Sequence, residues 1–422
     1  MSWPVVKPPW KNIRWSSWPA ATQWICGPNP QWEEEKTNIP SELDILKQEI
    51  EKLDKNGSWE FLKRTSNPYE LVFSQCQDQR IPQSISSLKP LSRSFFKMIE
   101  ILAVMDFFKR HSSKDNVIRS AHVCEGPGGF IEALLHMSKR NVFRVDHSWA
   151  MTLRPTKTNI PGWKRAYHFL KKSPMVNIEY GADDTGDILV PVNQGAFLDK
   201  TRGKCHIFTA DGGFDFSEHY GTQEEEVLPL LVSSIFIGLQ TLVKGGDFIL
   251  KIFDTESKAT IDLIALLASC FEQWTLYKPG LSRPCNAEKY FLGRGYKIAP
   301  GWIFKTLVEI RNAYACGFKH MAYIFKEIPP EILKEIKTLV GFFTDQQISA
   351  LRYAILLKDE WNTNPEKQWA QIQEYSINWC KQFQIPVRQL GLGSALVNKV
   401  NPIPWNQVVA SRKHLEDADQ LE

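Results

Sequence analysis

Lys251 stands in the middle of an apolar run, GGDFILKIFD, with Leu250 on one side and Ile252 on the other. An amine in such a strand is costly to bury unless something uses it, and burial lowers its pKa toward neutrality. A second lysine nearby would lower it further, which suits one amine of the pair to proton abstraction. Three more ionisable residues occupy comparable places. Lys97 lies in LSRSFFKMIEIL, Asp211 ends the apolar run of IFTADGGFDF, and Glu288 opens the last apolar run of KPGLSRPCNAEKYFLGRG. Each has an ordinary reading as well. Asp211 could cap a turn, Lys97 could be a solvated helix lysine, and Glu288 could pair with Lys289 or Arg283 on a surface. Lys251 is the residue such readings explain least.

A second constellation is HVCEGPGGFIEALLH, residues 122–136. An apolar run ends in Cys124-Glu125, passes through Gly126-Pro127-Gly128-Gly129, and resumes at Phe130 with helical spacing. Strand, glycine turn and helix N-terminus together offer backbone N–H groups to a nucleotide-like ligand. The dinucleotide fingerprint is not met, because position 131 is Ile, and no Walker Gly-Lys-Ser/Thr is present. Glu125, just before the turn, suits a ligand with positive charge nearby. A plain tight turn is the alternative.

The elements that must hold these residues alternate from about residue 117. IRSAHVCEG, CHIFTADGG, GGDFILKIFD, QWTLYKP and EKYFLGRGY read as strands; IEALLHMSKR, PLLVSSIFIGLQTLV and TIDLIALLASCFEQ read as helices between them. The pattern predicts an α/β fold with a largely parallel sheet. Glu125–Gly129, Asp211–Gly213 and Lys251–Asp254 then fall at the carboxyl ends of strands, where such sheets bind ligands. Before this region, residues 1–60 comprise a Trp/Pro-rich arm and a helix that opens with Ser41. After residue 315 the pattern is helical. We therefore expect a domain at 61–315 and a helical extension at 316–422.

Composition bounds the function. Hydrophobic residues make up 43% and charged residues 23% of 422, which excludes wholesale disorder. A net charge of +4 permits a nucleic-acid partner without requiring one. None of the eight cysteines forms a C-x-x-C spacing, so neither zinc nor a redox pair is indicated. Reduced thiols, no signal peptide and no apolar run of membrane-spanning length point to an intracellular, soluble chain without a membrane partner. No metal is expected.

Taken in order, Lys97 in SRSFFK, Asp211 in TADGG, Lys251 in FILKIF and Glu288 in SRPCNAEKY resemble the Lys-Asp-Lys-Glu tetrad of the FtsJ-like ribose 2′-O-methyltransferases. CEGPGGF resembles that family's glycine motif. TADGGFDF, KGGDFILKIFD and KP-x-x-SRP-x-N-x-E-x-Y look like the branch that methylates the first nucleotides after the mRNA cap. The likeness covers roughly residues 90–300, with cellular and large-DNA-virus members. It implies a Rossmann-like fold binding S-adenosyl-L-methionine. Neutral Lys251 would then be the base, Asp211 its orienting partner, and Lys97 and Glu288 ligands of the ribose hydroxyls. Glu125, Gly126, Pro127, Gly128, Gly129 and Phe130 would line the donor pocket, with Asp187 of YGADDTGDI near the adenosine.

The implied partner is RNA, notably capped mRNA, in the nucleus, the cytoplasm or a viral factory. Ser282 and Arg283 are the candidate RNA contacts. WKRAYHFLKK (163–172) is either a further RNA surface or an amphipathic helix with a solvated basic face. The Trp-rich arm could stack on a cap guanine or pack on the body, and the C-terminal helices could dock capping or transcription factors. Methylation of rRNA or tRNA, and a catalytically idle RNA-binding scaffold, remain alternatives.

Overall fold

The computed structural model describes residues 16, 30–33, 41–55, 58–74, 81–155, 162–213, 223–360 and 365–388. Trp3, Trp10, Trp15, Trp18 and Trp24 of the arm, and Phe214-Asp215-Phe216, lie outside them. Seven strands form one sheet: β1 (Val117–Val123), β2 (Arg144–Met151), β3 (Val176–Glu179), β4 (Cys205–Ala210), β5 (Leu242–Ile252), β6 (Phe271–Tyr277) and β7 (Lys289–Tyr296). Their order is β3-β2-β1-β4-β5-β7-β6. All are parallel except β7, which pairs antiparallel with both its neighbours. The expected α/β fold is therefore present. β2 and β3 escape the sequence pattern because Arg144, Asp146, His147 and Ser148 interrupt one, while the other has four residues at the sheet's edge.

Alternation along β5 sorts the core. Phe248, Leu250 and Ile252 join one apolar cluster, shared with the helices Pro191–Thr201, Gln223–Thr241 and Lys258–Ser269. Ile249 points into the other, formed with the helices Glu42–Lys55, Ser94–Val104, Gly129–Arg140 and Pro365–Phe383. Lys251, two residues after Ile249, belongs to this second face. At the sheet edge β6 pairs with Ser16: Ser16 N donates to Trp274 O and Trp274 N to Ser16 O, each at 2.9 Å. Gln31–Glu33 pairs with His320–Tyr323, and Trp32 packs edge-on against Tyr314 at 4.9 Å. The Ser41 start of the first helix is capped reciprocally, with Asp44 N donating to Ser41 Oγ at 3.2 Å and Ser41 N to Asp44 Oδ2 at 2.9 Å.

One fully buried carboxylate, Glu100, joins the helix bearing Lys97 to three distant parts of the chain. It accepts from Tyr277 OH at the end of β6, from Gly280 N at 2.8 Å, and from Trp379 Nε1 at 2.7 Å in the Pro365–Phe383 helix. Burial pushes its carboxyl up to about 7 although all three donors favour the anion. The folded chain thus keeps this proton over a range in which an unfolded carboxyl, near 4.5, has lost it. Stability from the neutral acid is full below that ordinary value and lost as pH rises through about 7. Glu100→Gln should remove this contribution, flattening denaturant-measured stability between those limits by up to about 3 kcal/mol. An unchanged slope would refute the assignment.

Candidate active site

Register explains how four residues distant in sequence meet. Ala210 of β4 pairs with Leu250 of β5, so the next residues, Asp211 and Lys251, lie side by side at the strand ends. Across β5, Lys251 pairs with Tyr290 and Ile252 with Lys289, which leaves Glu288 just beyond the end of β5. Lys251 Nζ lies 3.3 Å from Asp211 Oδ1 and donates to the Asp211 main-chain oxygen at 2.7 Å. Lys97 Nζ reaches down from its helix to donate to Glu288 Oε1 at 2.6 Å. The structure therefore brings Lys97, Asp211, Lys251 and Glu288 together. All four are mostly buried, with 10–15% of each side chain accessible from solvent.

Burial does not leave the Lys251 amine neutral, contrary to the expectation from its strand. Desolvation pulls its pKa down, but Asp211 and Glu288 pull it up by more, holding it above the ordinary lysine value. Glu288 shows the same balance from the other side: burial would raise it, yet Lys97 and Lys251 drive its carboxyl to about 2. These groups share protons and charge as one set.

Two further residues complete the site. Tyr290 OH donates to Asp211 Oδ1 at 2.8 Å, fixing that carboxylate against Lys251. Lys278 donates to Asn286 O at 2.7 Å, Asn286 Oδ1 at 2.8 Å and Glu288 O at 2.7 Å, and so sets the path of the Glu288 segment. Burial, helped by Lys289 and Lys97, lowers Lys278 to about 7 against the pull of Glu288. Both lie within the quoted KP-x-x-SRP-x-N-x-E-x-Y phrase. Only the strand register shows that Tyr290 faces Asp211.

The glycine turn joins β1 to the Gly129–Arg140 helix. Gly128 has a φ of 106°, open to glycine and strained for other residues. A Cβ on Gly129 would lie 2.3 Å from both Ser92 Oγ and Ser94 Oγ, at the start of the Lys97 helix. The missing side chains thus allow protein to pack on protein, pulling the turn against that helix. Gly126 and Pro127 stay half-exposed. Phe130, expected in a ligand pocket, is 1% exposed and packs on Tyr290 with ring centres 5.8 Å apart, because the first helical turn faces the core.

Glu125 is buried, linked to Thr209 Oγ1 and 3.3 Å from His122 Nδ1. His122 is in turn hydrogen-bonded to Thr209 Oγ1 at 2.6 Å and Ser120 Oγ at 2.8 Å. Burial raises the Glu125 carboxyl above its ordinary value despite these partners. Asp187 is half-exposed, its Oδ1 accepting from Leu189 N at 2.8 Å. Cys124 lies among Asp187, Lys251, Glu125 and Asp211. Burial and the three carboxylates push its thiol up to about 12, against the pull of Lys251.

Ser282 and Arg283 are engaged inside the protein. Ser282 is 3% exposed and donates to Asn286 Oδ1 at 3.2 Å. The Arg283 guanidinium donates to Glu70, Nη2 to Oε1 at 3.1 Å and Nε to Oε2 at 3.2 Å. Arg64 and Arg93 converge on the same buried carboxylate. Burial alone would raise Glu70, but Arg93 and Arg283 hold it below the ordinary value. Among the described residues, no cluster of His, Cys, Asp and Glu could hold a metal, and no helix is long and apolar enough to cross a membrane.

An open α/β sheet with ionisable groups gathered at its strand ends defines a ligand-binding enzyme fold of the doubly wound kind. Residues 90–296 match the FtsJ-like methyltransferase family, and the chain carries an FtsJ-like methyltransferase domain. It is 28% identical over 311 residues to cap-specific mRNA (nucleoside-2′-O-)-methyltransferase 2 of Danio rerio, covering 72% of this chain and 42% of that protein. To cap-specific mRNA (nucleoside-2′-O-)-methyltransferase 1 of Xenopus laevis it is 32% identical over 251 residues, 55% of this chain and 27% of that protein. The chain thus spans less than half the length of either relative. A solved Plasmodium falciparum structure named as a ribosomal RNA methyltransferase aligns with a TM-score of 0.34 and 18% identity, over 49% of this chain and 99% of that one.

The methyl donor of FtsJ-like enzymes is S-adenosylmethionine. The site suits such a cation: three carboxylates, Glu125, Asp187 and Asp211, gather around Cys124. The Glu70 cluster is testable without any ligand. Glu70→Ala should cost roughly 3–5 kcal/mol in urea unfolding, because three guanidiniums then lose their shared carboxylate. A loss under about 1 kcal/mol would mean that the cluster contributes as little as a surface pair.

Proposed function

We propose that the protein is an S-adenosylmethionine-dependent RNA ribose 2′-O-methyltransferase acting on cap-proximal nucleotides of mRNA. The observation that carries this reading is the joining of Lys251–Asp211 and Lys97–Glu288 at the strand ends of an FtsJ-like domain. The names of the relatives favour a capped mRNA substrate.

S-adenosylmethionine, when bound, supplies an electrophilic methyl group on a sulfonium. Glu125, Asp187 and Asp211 would place negative charge around that cationic ligand, and the Gly126–Gly129 turn would hold it. Lys251 would take the proton of the ribose 2′-hydroxyl and so make its oxygen the nucleophile. Lys251 must first release its own proton, since the two carboxylates keep it charged at neutral pH. Tyr290 holds Asp211 beside the amine, and Lys97 with Glu288 binds the ribose hydroxyls. Positioning rather than covalent chemistry carries the rate.

Methyl transfer from labelled S-adenosylmethionine to matched capped and uncapped RNAs, with nuclease digestion and mass analysis, tests the reading. A 2′-O-methyl mark beside the cap is expected, lost by roughly 100-fold or more in Lys251→Ala, the range of a positioned base. Marks on uncapped RNA alone would refute the cap assignment, and no mark on any RNA would refute the activity. The wild-type rate should climb with pH as Lys251 deprotonates. In Glu288→Gln one charge that retains this proton is gone, so the residual activity should have its alkaline limb at lower pH. An unmoved limb would remove Lys251 as the base.

A further inference from the structure

The basic aromatic segment at 163–172 is not used by the chemistry described above, yet it borders the glycine turn. Trp163 is 7% exposed, and a Cβ on Gly128 would lie 3.1 Å from its ring. Leu91, shortly before the Lys97 helix, packs against the same cluster, and its N donates to Glu132 Oε2 at 2.8 Å. Above this floor Trp163, Lys164, Tyr167, Leu170 and Lys171 enclose a surface pocket of about 500 Å³. The Tyr167–Lys172 helix covers the sheet with Ala166 beside it and with Phe169, both buried. Tyr167 takes no part in that cover: it is 63% exposed.

The charge is one-sided. WKRAYHFLKK carries four Lys and Arg residues and no carboxylate. Among the described residues, Lys164, Arg165 and Lys171 form no ion pair, and all three side chains are exposed. An accessible aromatic face among uncompensated cations matches the chemistry of unpaired nucleotides, with rings for bases and amines for phosphates. An acidic peptide would find the amines but leave the aromatic pocket without a stacking partner.

We infer that this pocket is a subsite for single-stranded RNA flanking the methylated ribose, a base stacking on Tyr167 while Lys164 and Lys171 contact neighbouring phosphates. The inference rests on the RNA reading above and adds to it a place where the strand is held. It makes the substrate an extended unpaired strand, so affinity should grow with RNA length past the reacting nucleotide.

Tyr167→Ala and the double variant Lys164→Ala/Lys171→Ala alter exposed side chains only. Fluorescence anisotropy with a labelled unstructured RNA of about twelve nucleotides, across a salt series, measures the subsite directly. Calorimetry with S-adenosylhomocysteine measures the donor site. Tyr167→Ala should weaken RNA binding by roughly 5- to 100-fold. The double lysine variant should weaken it and reduce the salt slope by about 1.4, two released counterions on a single strand. S-adenosylhomocysteine affinity should not change. Unchanged RNA affinity in both variants would overturn the inference, as would a wild type that binds no RNA. Equal loss of S-adenosylhomocysteine binding would also overturn it, assigning the pocket to the donor. If the variants lose RNA as expected but the wild type transfers no methyl group, the subsite stands and the proposed activity falls.

Discussion

Two ammonium groups at the end of an apolar sheet persist only because two carboxylates meet them there. Lys251 with Asp211 and Lys97 with Glu288 form two opposite-charge pairs whose members come from four separate segments. Removing any one leaves a buried charge uncompensated, which costs more than the pair contributes. The sheet register, the antiparallel β7 and the close seating of the Lys97 helix on the glycine turn follow as geometric requirements. Together they bring Lys251 to within 3.3 Å of Asp211 and Lys97 to within 2.6 Å of Glu288.

The same arrangement sets the protonation state. A lysine in a dry strand would discharge, and a carboxylate in that setting would take up a proton. Together they do neither: Lys251 is held above its ordinary value and Glu288 falls to about 2. Such a site is electrostatically tight but poorly set for proton abstraction at neutral pH. Binding of a cation beside Asp211 would compete for that carboxylate and loosen its hold on Lys251.

Much of this was legible in the sequence. Lys97, Asp211, Lys251 and Glu288 each sit in a local phrase whose apolar pattern betrays the strand or helix that carries it. Period-two alternation in FILKIF even fixes the face that Lys251 occupies. What stayed hidden depends on summing over distant segments. The direction of the Lys251 shift requires knowing that two carboxylates surround it. The contacts of Glu70 with Arg283 and of Glu100 with Trp379 join residues more than two hundred positions apart. The glycines signal a turn, but that Gly129 makes room for Ser92 and Ser94 depends on a helix packed across it. Phe130, which the resemblance puts in the donor pocket, is turned into the core by the phase of its helix.

The pairing of Ser16 with Trp274 bears on how the chain avoids self-association. β6 closes one side of the sheet, and an open edge strand there would be a template for another molecule's backbone. Ser16 occupies the Trp274 donor and acceptor in cis, so at this point of the edge both main-chain groups are already paired. At Trp274, then, another molecule's backbone finds neither a donor nor an acceptor to pair with.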